Sequence, residues 1–302
     1  MNQEVYHIPA LFTEALTALD IKSSGIYVDA TYGGGGHSKG IVEQLGTDGH
    51  LYSFDQDEDA IKRAFKDSRF TIVYSNFCFL SNFLRYYNVD GVDGILADLG
   101  VSFHHFDDKN RGFSFRFEGA LDMRMNQKAK RTAAWILENY SNEQLADIFF
   151  LYGELKNARK IATVIDNARK TAPIITVERL LEVVKPFINP RQEKKELAML
   201  FQALRIEVNG EMDVLEKFLK QTLKSLKPGG RLVIITYHSL EDRLVKNFMR
   251  TGNVQGILEK DFFGRNLSPF KLLTSKPIVP TNEEIENNPR SRSAKMRIAQ
   301  KL

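Results

Sequence analysis

The chain has 302 residues, of which 43% are hydrophobic and 26% are charged, the balance of an ordinary globular protein with one or two domains. It has neither a run of about 18 apolar residues nor a signal-peptide pattern at its start, so we expect no membrane span. Its one cysteine, Cys78, excludes an internal disulfide and predicts a cytoplasmic protein, and a net charge of +4 permits a polyanionic partner without requiring one.

Short β-rich runs alternate with helical stretches over the first 100 residues. Strands are predicted at residues 26–30, 51–54, 70–74 and 92–96, with a fifth at 231–236 and an antiparallel edge strand at 295–300. Strands that alternate with helices are typical of a parallel sheet covered on both faces. We therefore predict an α/β fold with a Rossmann-like, doubly wound sheet.

The interval between the fourth and fifth strands has a different pattern. Its apolar spacing predicts helices at residues 132–138, 142–151, 157–169, 177–185 and 193–208, with no convincing strand among them. We interpret 108–205 as an inserted, mainly helical substrate-recognition domain. Residues 1–107 and 206–302 then form the catalytic, cofactor-binding domain.

Basic residues cluster inside and after this insertion, and each cluster alone is typical of a solvated helix face. Several clusters beside one candidate site favour contacts with phosphates. The clusters comprise Lys128, Lys130 and Arg131; Lys156, Arg159, Lys160, Arg169 and Lys170; and Arg290, Arg292, Lys295 and Arg297.

A glycine cluster at residues 33–36 lies between the first strand and the first helix of the sheet, where backbone N–H groups can approach a ligand. Asp55 follows about 20 residues later, at the end of the second strand, a position that suits ribose hydroxyls. A dinucleotide would favour glycines spaced along the helix start, whereas these are contiguous. Asp29 and Asp98 add carboxylates that suit a sulfonium, which favours S-adenosylmethionine over a nicotinamide cofactor.

Six segments in the same order resemble the MraW/RsmH family over nearly the whole chain. They are DATYGGGGH at 29–37, DLGVS at 98–102, RGFSF at 111–115, LDMRM at 121–125, FQALRI at 201–206 and HSLEDR at 238–243. The resemblance implies S-adenosylmethionine-dependent methylation of the exocyclic N4 of a cytidine in small-subunit ribosomal RNA. The implied partner is that RNA, either free or within the assembled subunit.

The resemblance also implies which residues bind the cofactor. They are Gly35, Gly36, His37, Asp55, Phe77 and Asp98. The family's usual Ser-Ser-Pro-Gln after the fourth strand is replaced by Ser-Phe-His-His, so His105 stands where a glutamine would contact the cofactor.

Cytosine methylation at carbon 5 normally needs a thiolate nucleophile, and the only thiol, Cys78, is remote in sequence from the loop after the fourth strand. We therefore predict direct attack by an amine, with Asp98 as the first candidate for the proton acceptor and His238 as the second. Asp98 could equally serve only structure or cofactor binding. Tyr237 and Phe103 are predicted either to stack an unpaired base or to pack in the core.

The residues alone leave three other functions open: a nicotinamide-dependent dehydrogenase, a non-catalytic RNA-binding assembly factor and a DNA amino-methyltransferase. The glycine loop combined with Asp55 and Asp98 argues against the non-catalytic protein, since a pure binder does not need that set. No metal site is predicted, and the sequence is compatible with a monomer or a homodimer.

Overall fold

The computed structural model describes residues 9–100, 108–265 and 267–302, which divide into two compact units. The first, called the sheet unit, comprises Met1–Gly100 and Met212–Leu302. The second, called the helical unit, is Val101–Glu211. Among the described residues, no helix has both the length and the apolar content that a membrane span needs.

The sheet unit contains a seven-stranded sheet of order β3-β2-β1-β4-β5-β7-β6. Its strands are β1 (Ile26–Asp29), β2 (His50–Asp55), β3 (Phe70–Tyr74), β4 (Val92–Asp98), β5 (Leu226–Thr236), β6 (Phe270–Leu272) and β7 (Lys295–Lys301). The first five pair in parallel, and β7 is antiparallel to β5 and β6. The predicted Rossmann-like fold class is confirmed.

Both faces of this sheet are buried, because successive side chains of each central strand enter two different hydrophobic clusters. Ile95 of β4 and Leu232 of β5 belong to one cluster, and their chain neighbours Leu96 and Val233 belong to the other. A strand that is buried on both faces has a continuous run of apolar residues, and this pattern allows such strands to be predicted from the sequence.

Helices cover these faces. They are α1 (Phe12–Leu19), α2 (Gly36–Gln44), α3 (Glu58–Lys62), α4 (Leu80–Tyr86), α10 (Glu211–Ser225), α11 (Ser239–Thr251) and α12 (Asn282–Asn287). The last of these helices, α12, forms in a mostly polar segment. Thr281 caps α12 by accepting a hydrogen bond from the Glu284 N–H, and Glu283 and Glu284 favour the positive end of the helix dipole.

The fifth strand begins earlier than predicted. Pro228, Gly229 and Gly230 are typical turn residues, yet β5 starts at Leu226 and runs through them. Leu226 pairs with Val92, and the register then shifts before Arg231 pairs with Gly94. This irregularity accommodates the Pro-Gly-Gly segment, since a bulge tolerates residues that a regular ladder excludes.

The helical unit consists of α5 (Ala133–Asn139), α6 (Asn142–Leu151), α7 (Ala158–Arg169), α8 (Val177–Val184) and α9 (Glu193–Asn209) around its own hydrophobic core. These helices match the five predicted ones to within one or two residues. Its capping is strong: Ser141 and Gln144 form a capping box at the start of α6. Before α5, Asp122 and Arg124 form a bidentate ion pair.

Candidate active site

The site lies at the carboxyl ends of β1 and β4, where the strand order of the sheet unit reverses. From β1 the chain moves outward to β2 and β3, and it then returns to place β4 on the other side of β1. Connections that leave two neighbouring strands in opposite directions open a crevice at this edge, which is where doubly wound sheets bind ligands. Asp29, Asp55 and Asp98 each end one of the strands at this edge.

The four contiguous glycines have different roles. Gly33 and Gly35 adopt positive φ angles of 53° and 78°, which glycine tolerates best. A Cβ on Gly35 would lie 2.5 Å from the Tyr32 hydroxyl, and one on Gly36 would lie 2.7 Å from the Pro9 ring. A Cβ on Gly34 would meet no atom within 4 Å. Protein packing thus explains the glycines at 35 and 36, and the open side of the loop is at Gly34.

The start of α2 is available to a ligand. Gly35 occupies the N-cap position and has no side chain with which to bond the first N–H groups of the helix. These groups carry the positive end of the helix dipole.

Asp55 fastens the glycine loop to the end of β2. One of its carboxylate oxygens accepts a hydrogen bond of 2.8 Å from the Gly33 N–H, and the other accepts one of 2.8 Å from the Asp57 N–H. These two hydrogen bonds fix the position of the Asp55 carboxylate at this edge of the sheet.

Asp29 is fully buried and organises the loop from inside. Its two oxygens accept hydrogen bonds from the Thr31 N–H at 3.0 Å and the Ser38 hydroxyl at 2.6 Å. Burial raises the pKa of Asp29 to about 7, although these hydrogen bonds act in the opposite direction. Asp29 was expected to present a carboxylate towards the cofactor, but its burial gives it a structural position instead.

Asp98 is anchored from two sides. Its N–H donates to the Thr31 hydroxyl at 2.7 Å, and its Oδ1 accepts a hydrogen bond of 2.8 Å from the Tyr237 hydroxyl. Desolvation by burial is the main cause that raises the pKa of Asp98 to about 7, and the charges of Asp29 and Glu241 add to it. The Asp98 side chain is one-fifth exposed, so this poised carboxyl group remains accessible.

His37 follows the glycines and is neutral. Burial lowers its pKa to about 4, and its ring stacks on Phe12 with 5.9 Å between centroids. Its Nδ1 lies 3.8 Å from Asp98 Oδ2, which is too long for a hydrogen bond. Within the described part of the chain, no atom hydrogen-bonds its buried Nε2. The imidazole of His37 is therefore neutral and enclosed beside the glycine loop.

His238, the second candidate for the proton acceptor, caps α11. Its Nδ1 accepts from the Glu241 N–H at 3.4 Å, and its Nε2 lies 3.1 Å from Glu241 Oε1. The other oxygen of Glu241 accepts from the Tyr237 N–H at 2.9 Å. These contacts fix the turn that carries Tyr237, and among the described residues no hydrogen bond satisfies the buried Nε2 of His238.

Phe77 packs edge-to-face on Phe218, with 5.0 Å between ring centroids, so its contacts within the sheet unit are those of a core residue. Cys78 follows it in the same short helical turn, where Gln221 of α10 donates to its carbonyl, and burial raises the pKa of its thiol. A raised pKa disfavours the thiolate that a nucleophile needs. His105 and Phe103 lie outside the described residues.

Two site residues were not foreseen from the sequence. Thr31 joins Asp29 to the backbone of Asp98, and the Tyr237 hydroxyl binds Asp98, although the sequence suggested only stacking or packing for Tyr237. The Asp-x-Thr spacing predicts the contact between the Asp29 carboxylate and the Thr31 N–H, since aspartate side chains commonly bond nearby backbone groups. The contact between Tyr237 and Asp98 joins residues 139 positions apart, so no local sequence pattern predicts it.

The doubly wound sheet, with acidic strand ends around an open helix start, defines a Rossmann-like α/β protein with a ligand site at the switch point. The family model described as "MraW methylase family" matches residues 4–302, and the chain belongs to this family of methylases. This confirms the resemblance drawn from the six segments.

Proteins named "Ribosomal RNA small subunit methyltransferase H" are similar over almost their whole length. The one from Phocaeicola vulgatus is 62% identical over 99% of this chain and 98% of its own. The one from Parabacteroides distasonis is 62% identical over 98% of each chain. The one from Bacteroides fragilis is 58% identical over 99% of each.

Proposed function

We propose that this chain transfers a methyl group from S-adenosylmethionine to the exocyclic N4 amine of a cytidine in small-subunit ribosomal RNA. The observation that carries this proposal is the accessible carboxyl group of Asp98 at the switch point, held by Tyr237 and poised near neutral pH. The names of the full-length relatives support small-subunit ribosomal RNA as the substrate, and the cytoplasmic location stays a prediction from the sequence.

The residues at this edge fit S-adenosylmethionine, which combines an adenosine with two positive charges. The open side of Gly34 leaves space for a ligand, and the Asp55 carboxylate at the end of β2 is proposed to bind the ribose hydroxyls. Asp98 offers negative charge to the sulfonium, and by similarity to the family His37 also belongs to the proposed cofactor site. By similarity to the family, Gly35, Gly36, Phe77 and His105 complete the proposed cofactor site.

When bound, S-adenosylmethionine supplies an electrophilic methyl group. An exocyclic amine attacks poorly while its lone pair is delocalised into the ring, so a group that holds its N–H favours attack and then accepts the proton. The proposal assigns this role to the oxygen of Asp98 that the Tyr237 hydroxyl does not bind. Because only its ionised form accepts a proton, this step becomes faster as pH rises through the pKa of about 7.

Titration calorimetry with S-adenosylmethionine and with a nicotinamide cofactor tests the cofactor assignment. Transfer of a labelled methyl group to small ribosomal subunits or their RNA tests the substrate assignment. Binding of the nicotinamide cofactor alone, or absence of label in RNA, would contradict the proposal.

Asp55→Ala is expected to weaken S-adenosylmethionine binding by about 1–3 kcal/mol, because the variant cannot form charge-assisted bonds to ribose hydroxyls. The substitution also releases the Gly33 N–H, so its effect on folding needs a control. Asp57→Ala is the matched control, because Asp57 lies two residues after Asp55 and its side chain caps α3. In calorimetry, Asp57→Ala should keep wild-type affinity, and an equal affinity for Asp55→Ala would remove Asp55 from the site.

The helical unit is proposed to bind the RNA. Two of its basic residues have structural roles instead: Arg131 bonds Glu207 and Tyr140, and Arg169 bonds three carbonyl groups around the end of α5. The exposed cluster of Lys156, Arg159 and Lys160 is therefore the candidate for phosphate contacts.

Charge reversal of Lys156, Arg159 and Lys160 should raise the Kd for RNA and reduce the slope of log Kd against log salt by about 0.7–0.9 for each phosphate that the variant no longer neutralises. Affinity for S-adenosylmethionine should stay unchanged. Reversal of Arg191, Lys194 and Lys195, an equally exposed triplet before and within α9, is the matched control. Equal effects of the two charge reversals would show that the first cluster acts only through the overall charge of the protein.

A further inference from the structure

A tight loop in the sheet unit, Asp261–Arg265, exposes two adjacent phenylalanines and is called the aromatic tip. Its conformation is closed by the Asp261 carboxylate, which accepts hydrogen bonds from the Phe263 N–H at 2.9 Å and the Arg265 N–H at 2.8 Å. The Asp261 N–H donates to the Arg265 carbonyl at 2.9 Å, and Gly264 takes a φ of 78°. The loop is therefore closed by hydrogen bonds among its own residues.

The side chains on this tip face solvent. Phe262 is 97% exposed and Phe263 is 79% exposed, and their rings meet edge-to-face at 5.6 Å. Because the backbone is fixed by Asp261, the rings cannot fold back into the core without breaking the loop. Exposed apolar surface on a closed loop has no folding benefit and is typical of a binding surface.

Charge around the tip favours a polyanion. The segment 246–276 contains six basic and two acidic residues, a net charge of +4 that equals the net charge of the whole chain. Lys260 precedes the tip, and the Arg265 guanidinium lies 5.9 Å from the centroid of the Phe263 ring. Aromatic rings beside cations are the combination that proteins use to bind single-stranded nucleic acid, with bases on the rings and phosphates on the cations.

We infer that the aromatic tip is a second RNA contact, on which unpaired bases of the substrate stack against Phe262 and Phe263 while Lys260 and Arg265 contact the neighbouring phosphates. This inference rests on the proposed function, because it takes the substrate to be RNA. The tip serves to hold the substrate and takes no part in methyl transfer.

The test compares Phe262→Ala/Phe263→Ala with Tyr86→Ala, whose ring is 76% exposed on α4 of the same unit. The Kd is measured for single-stranded oligonucleotides from small-subunit ribosomal RNA by fluorescence anisotropy. The double variant should bind about tenfold more weakly or worse, with its KM for RNA raised and its kcat at saturating RNA unchanged. Tyr86→Ala should match the wild type, and both variants should keep the wild-type Tm, because exposed rings contribute little to folding.

A wild-type Kd and KM in the double variant would overturn the inference. Loss of self-association in sedimentation, with Kd for RNA unchanged, would overturn it as well and would assign the tip to a contact between copies of the chain. A wild-type protein that transfers no methyl group to RNA would instead contradict the proposed function. The two failures are therefore distinguishable.

Discussion

Asp98→Ala is expected to lower kcat by about 10²- to 10⁴-fold even at saturating S-adenosylmethionine, the usual contribution of a positioned proton acceptor. If Asp98 only held the cofactor, saturating concentrations would restore turnover. Because its Oδ1 is occupied by Tyr237, its other oxygen is the one left to receive the proton of the amine. Single-turnover methylation of RNA at increasing cofactor concentrations measures the difference.

Two controls accompany Asp98→Ala. Asp98→Asn keeps the shape and an acceptor for the Tyr237 hydroxyl but cannot take up a proton, so its turnover should stay low. Cys78→Ser should keep most activity, because burial raises the pKa of this thiol and the carbonyl of Cys78, not its sulfur, is bound by Gln221. Wild-type turnover for Asp98→Ala at saturating cofactor would restrict Asp98 to cofactor binding.

Asp29→Asn is expected to increase the free energy of unfolding at pH 8. The pKa of Asp29 is raised by burial from 3.8 to about 7, so the folded protein holds this proton more tightly than the unfolded chain. As pH rises from 3.8 to about 7, the unfolded chain releases this proton before the folded protein does. The free energy of unfolding therefore falls by up to about 4 kcal/mol. Asparagine avoids this loss, since its oxygen can accept from the Thr31 N–H and its amide can donate to Ser38.

Urea unfolding at pH 5 and pH 8 measures this effect. The advantage of Asp29→Asn over the wild type should be large at pH 8 and should shrink towards pH 4. Asp67→Asn is a control of opposite sign, because hydrogen bonds from Arg69 lower the pKa of Asp67 to about 2. That variant should lose stability at neutral pH. A pH-independent difference for Asp29→Asn would show that the carboxyl of Asp29 is not titrating with a raised pKa.

The sequence could predict most strands of the sheet because both faces are buried, and runs such as Leu232–Ile235 are continuously apolar for that reason. It could not predict β6, whose three residues Phe270–Leu272 are too few to show a period. It also missed where β5 begins, because Pro-Gly-Gly is a turn signal that the bulge against β4 overrides.

For the site, the sequence places carboxylates at strand ends but cannot tell which of them are exposed. Asp29 and Asp98 both end strands, yet Asp29 is fully buried and Asp98 stays one-fifth exposed. Ser38 and Thr31 both donate hydrogen bonds to the Asp29 carboxylate. Asp98 is also bound by Tyr237, a residue 139 positions away, and no local pattern shows that contact. Likewise, the glycines at 35 and 36 are explained by Tyr32 and Pro9, which pattern alone does not show.

The position of the methyl group on the product base tests the central claim most directly. The protein is incubated with labelled S-adenosylmethionine and small ribosomal subunits, the RNA is digested to nucleosides, and the labelled nucleoside is identified by chromatography and mass spectrometry. We expect N4-methylcytidine, formed without a covalent protein–RNA adduct. Label in 5-methylcytidine, together with an adduct trapped through Cys78, would contradict the proposed chemistry.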